Sequence, residues 1–160
     1  MRLLKVKENK DALQKSCCAC GVGDRSGHFT VSLAQTNSED AAIREVVGHY
    51  FRGLKFNDVE SLKKAFYPEA KLFFMKRDGT MGQLSQEQWY KGFSANAGKE
   101  EKGDLKIASL DVTGNAASVK VVEVYDTSKY TDYSSLLKFP DGWKIVHKIY
   151  VAEPIKPAGE

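Results

Sequence analysis

Two side chains in the C-terminal half have the types and positions that suit proton transfer, Glu123 and His147. Glu123 alternates with Ala117, Val119, Val121 and Tyr125, which puts its carboxyl on an otherwise apolar strand face. His147 alternates in the same way with Trp143, Ile145 and Ile149. A carboxyl and an imidazole brought together would form a general acid–base couple, and face parity is all that pairs them. The face carrying His147 either looks inward, making it an orienting polar group, or outward onto a subunit surface. A hydrogen-bonded structural histidine is the plain alternative. Glu123 needs a partner on any reading, because a buried unpaired carboxylate is costly. Asp132 reads as a turn residue before a strand starting at Tyr133.

Cys17 and Cys20, with Cys18 between them, give a C-x-x-C spacing that serves zinc or thiol–disulfide chemistry elsewhere. A structural zinc ion wants four ligands, and only His28 lies near. Histidines at 28, 49 and 147 form no helix-spaced set, so no metal and no cofactor are expected, and the thiols read as incidental. His49 falls on the flank of a helix and reads as solvent-facing.

The elements that would position these groups fit one domain of 160 residues. Residues 1–38 carry six Lys/Arg against three Asp/Glu, and the remainder carries eighteen against eighteen. A neutral main body argues against a nucleic-acid binder. No stretch approaches the roughly 18 apolar residues that span a bilayer. Residues 1–38 read as a poorly ordered extension or a misassigned leader. The start MRLLKVK is basic, but charged residues interrupt the stretch after it, so a cytoplasmic location is expected as written. Export is expected instead if the true N-terminus differs, with cleavage near Ala34 and Gln35.

Ser38 reads as an N-cap for a helix whose apolar face is Ile43, Val46, Val47, Tyr50, Phe51 and Leu54, ended by Gly53 and the polar Asn57-Asp58. Asn57 with Glu60 suggests a capping box for a second helix, with Val59, Leu62 and Phe66 buried and Pro68 as its stop. A hairpin comes next over 71–84 around Arg77-Asp78-Gly79, and Ser85 with Gln88 opens a third helix through Trp89, Tyr90 and Phe93. Four strands at 105–112, 116–126, 133–139 and 143–151 complete an antiparallel meander. Lys138, Lys144 and Lys148 mark outward positions. Helices gathered ahead of the meander mean an α+β fold: three N-terminal helices packed on a strongly curved antiparallel sheet, over 39–153, with a tail at 154–160.

This order resembles the nuclear transport factor 2-like superfamily, also described as SnoaL-like or cystatin-like, and within it the bacterial lumazine-binding branch. The residues that carry the likeness are AIREVVGHYFRGL at 42–54, AFYPEA at 65–70, TDYSSLLK at 131–138 and DGWKIVHKI at 141–149. The resemblance implies a cone enclosing an apolar pocket and a sheet face that pairs two subunits. It also places Tyr50 where the superfamily's isomerases carry an oxyanion-donating tyrosine, but their acidic pair falls on Phe73 and Phe74, so that mechanism is not expected. Tyr50 otherwise reads as a core aromatic whose hydroxyl finds one partner.

The combined expectation is a non-catalytic homodimer whose cone binds a small apolar or aromatic molecule. Its pocket would be lined by Tyr50, Phe51, Phe66, Phe73, Trp89, Phe93 and Trp143, with Glu123 and His147 orienting the ligand. The alternatives are a cyclase, dehydratase or isomerase using Glu123 and His147, or a homodimeric assembly module whose cone is filled.

Overall fold

The computed structural model describes residues 33–155. The readings placed on Cys17, Cys18, Cys20 and His28, on the basic start, and on the end of the tail lie outside the described residues.

Helix α1 (Leu33–Phe56) buries the expected stripe of Ile43, Val46, Val47, Tyr50 and Leu54, with Phe51 half-buried beside it. It starts before Ser38, so Ser38 is interior rather than a cap. Gly53 does not end α1; it lets α2 (Val59–Ala65) approach closely. A Cβ there would fall 2.2 Å from Leu62 Cδ2, so only glycine fits without displacement. The α2 cap is Asp58, which accepts from the Ser61 amide at 3.1 Å, whereas Asn57 adopts a left-handed φ of 51° at the corner. The chain leaves α2 at Phe66, two residues before Pro68, because Phe66 is already extended.

Strand β1 (Phe66–Met75) pairs with β2 (Met81–Ser85), and α3 (Gln86–Tyr90) opens with the Ser85–Gln88 capping box that the spacing suggests. A 3₁₀ turn over Lys91–Asn96 leads to β3 (Gly103–Thr113), β4 (Ala116–Tyr125), β5 (Ser128–Phe139) and β6 (Gly142–Pro154). The sheet order is β2-β1-β6-β5-β4-β3, antiparallel throughout except where β1 runs parallel to β6. Three helices thus pack on one face of a curved six-stranded sheet, an α+β cone. The core lies between α1, α2 and the inner residues Val119, Val121, Leu136, Trp143 and Ile145.

One irregularity decides which groups meet inside. Ser135 pairs with His147 while Leu136 pairs with Ile145, so Val146 is an extra residue on β6. Such a bulge reverses the alternation beyond it. Trp143 and Ile145 face the core before it; Lys148 and Tyr150 face the interior after it, and His147 and Ile149 turn outward.

Candidate functional site

The inner face of the sheet brings four polar side chains together beneath the helices. Tyr50 comes from α1, Glu123 from β4, Asp132 from β5 and Lys148 from β6; all are at most 5% exposed. Lys148 Nζ donates to Tyr50 Oη at 2.7 Å and to Asp132 Oδ2 at 3.0 Å. The Tyr50 hydroxyl also contacts Asp132 Oδ2 closely and lies 2.9 Å from Glu123 Oε1. Tyr125 closes the cluster by donating to Glu123 Oε2 at 3.2 Å. The ammonium sits about 5 Å above the rings of Tyr50, Trp89 and Tyr150, which offer their negative faces to it.

The cluster holds more acceptors than protons. The Tyr50 hydroxyl carries one proton and faces two carboxyl groups. Both contacts are hydrogen bonds only when one of the two carboxyls brings its own proton; with that proton on Glu123, Tyr50 donates to Asp132 and accepts from Glu123 and Lys148. In that state the Asp132 and Lys148 charges cancel. The electrostatics agree with the count. Burial first, and the neighbouring Asp132 charge second, push the Glu123 carboxyl up from 4.5 to about 7. Burial likewise raises the phenols of Tyr50 and Tyr125, reinforced by the adjacent carboxylates.

This cluster floors a cavity of about 780 Å³. Trp89, Phe93, Tyr125, Tyr130 and Tyr150 form its walls, and Glu123 and Lys148 reach it from below. Its mouth is framed by Glu100, Glu101, Lys102 and Asp126. The loop carrying the mouth residues is tied to α1: Glu101 N donates to Lys55 O at 2.7 Å and Gly98 N to Phe56 O at 2.9 Å.

Of the residues singled out from sequence, Trp89, Phe93 and Glu123 line this cavity. Tyr50 and Phe66 lie directly behind its wall, their rings 5.3 Å apart, and Phe66 packs edge-on against Trp89 at 5.2 Å. Phe51 packs against the core beside Tyr50. Trp143 is buried at the other end, where its indole donates to Glu39 at 2.8 Å. Phe73 and His147 pack against each other on the outer face, their rings 5.0 Å apart and tilted by 33°, so Glu123 and His147 lie on opposite sides of the sheet. His49 is half-buried on the α1 flank.

Two network members run against the sequence reading. Lys148 is buried rather than outward, because the bulge at Val146 reverses its side. Asp132 is a mid-strand residue of β5, not a turn residue. Its parity with Leu136 was a usable signal, since both belong to the inward set. Nothing local in Ile145-Val146-His147 announces the bulge. Among the described residues, no group of His, Cys, Asp and Glu is placed to hold a metal ion, and no helix is long and apolar enough to cross a membrane.

A helix-capped cone around such a cavity defines the nuclear transport factor 2-like class, and the solved structures agree. A nuclear transport factor 2-like protein of unknown function from Shewanella baltica is 25% identical, with 78% of this chain and 99% of that one covered at a TM-score of 0.68. One from Silicibacter pomeroyi is 22% identical, covering 74% and 98% at 0.66, and a cystatin-like fold protein from Burkholderia xenovorans is 18% identical, covering 74% and 95% at 0.58. The family model described as "Putative lumazine-binding" matches residues 38–151, and the chain belongs to that family. No match is found among curated proteins.

Proposed function

We propose that the protein binds a small, largely aromatic molecule inside the cone and holds it without converting it. The observation that carries this reading is the aromatic-walled cavity of about 780 Å³ closing on a buried polar floor. Aromatic walls around a few convergent polar groups are a usual form of a ligand site, and here the open mouth adds acidic and hydroxyl side chains to that lining. Both Glu123 oxygens are engaged by phenols, Tyr50 on one side and Tyr125 on the other, which suits an orienting group better than a free base. The family description favours a planar heterocycle such as lumazine as a first probe.

We also propose that the outer sheet face pairs two copies. Tyr133, Leu137, Ile149 and Val151 stand exposed there, beside the Phe73–His147 ring pair. A second functional reading, general acid–base catalysis by Glu123, is favoured by its titration near neutrality. Its partner would then be Tyr50 or Lys148, since His147 is across the sheet.

Native mass spectrometry of protein purified gently from its own host tests these readings together. A dimer with a reproducible added mass, lost in Trp89→Ala, supports the binder, and monomers in Ile149→Lys support the outer face as interface. A bare protein that also fails to retain added lumazine overturns the binding reading. Release of a chemically altered lumazine favours catalysis.

A further inference from the structure

The floor of the cavity is more selective than its walls. Lys148 carries three N–H donors, and two are taken by Tyr50 and Asp132; the third has no protein acceptor among the described residues. Lys148 lines the cavity, so that donor, which otherwise faces only the rings of Tyr50, Trp89 and Tyr150, can be taken by an acceptor that fills it. The charge around it is nearly balanced. Asp132 cancels Lys148; Tyr50 has one proton for two carboxyls, and the more readily protonated one is Glu123, which burial pushes up to about 7 and which is neutral below that. A ligand anion would gain Lys148 but meet Asp132 just behind it, and would first pass a mouth where Glu100, Glu101 and Asp126 outnumber Lys102. A ligand cation would meet the ammonium already seated among Tyr50, Trp89 and Tyr150.

Building on the pocket reading above, we propose that the cavity selects a neutral, planar ligand bearing a carbonyl oxygen, which accepts the remaining Lys148 N–H, and that it rejects ligands carrying a full charge of either sign. The aromatic walls supply area that any flat ring system can use. The Lys148 donor supplies the discrimination, because a hydrogen bond from a charged donor is worth more than one between neutral groups.

Four probes with one ring system separate these contributions: naphthalene, 2-acetylnaphthalene, 2-naphthoate and 2-naphthylmethylammonium. Their affinities are read by calorimetry at about pH 6, below the Glu123 midpoint. The expected result is 2-acetylnaphthalene binding about tenfold tighter than each of the others. In Lys148→Met/Asp132→Asn, which removes both charges together, the ketone and the hydrocarbon are expected to bind alike. The ranking of the four probes on the unaltered protein stands even if that variant fails to fold. Equal affinities for all four, or tightest binding by a charged probe, would overturn the inference while leaving the cavity as a ligand site. If none of the four saturates, the pocket reading falls and takes this inference with it.

Discussion

The phenol of Tyr50 has one proton and two carboxyl groups to serve, and that shortage sets the protonation of the cavity floor. Glu123 is the group that yields. Its carboxyl moves from 4.5 to about 7 because burial disfavours the charged form and Asp132 is already negative nearby; Lys148 and the Tyr50 hydroxyl offset only part of this. Between those two values the folded protein keeps a proton that the unfolded chain has released. Stability therefore falls as pH rises from about 4.5 to about 7 and levels off above. Glu123→Gln keeps the shape and removes the titration. Urea unfolding at about pH 5 and about pH 8 should show a weaker pH dependence in the variant. At the higher pH the variant should be more stable than the parent by on the order of 2 kcal/mol. Equal pH slopes in the two proteins would place the proton elsewhere.

At the scale of elements, two local features put the network together. The first is Gly53, whose missing side chain lets α2 seat Leu62 against α1. Gly53→Ala pushes a methyl into Leu62 and should lower stability by about 1–3 kcal/mol, read as a drop in melting temperature. An unchanged melting temperature would mean the helices can separate without cost. The second feature is the bulge at Val146, without which Lys148 would point outward and Asp132 would be a buried charge with no cation. These features also mark how far the sequence could be read. The apolar stripe of α1, the Ser85–Gln88 cap and the order of elements come from short-range periodicity and turn chemistry, and the structure matches them. The side of the sheet taken by His147 and Lys148 does not, because one inserted residue reverses parity and leaves no compositional trace. The same limit hid Lys148 as the cation paired with Asp132. Parity on β4, which has no bulge before Glu123, grouped that carboxyl with Val119 and Val121, and the structure shows that face to be the inner one.

At the scale of the molecule, the two faces of the sheet are built for different tasks. The inner face walls a cavity of about 780 Å³ over a floor whose charges balance when Glu123 keeps its proton. The outer face presents Tyr133, Ile149 and Val151 to its surroundings. The helices and the tied mouth loop wall the inner side, where Trp89, Phe93 and the more deeply buried Lys148 line the same cavity. The central claim is that this floor is both protonated near neutrality and exposed to a bound ligand. It is tested most directly by following the side-chain carboxyl carbon of Glu123 by NMR across pH, with and without 2-acetylnaphthalene. The account predicts a midpoint near 7 in the free protein and a displaced resonance on adding the ketone. A midpoint in the ordinary carboxyl range, about 4.3, with no response to the ketone, would contradict it.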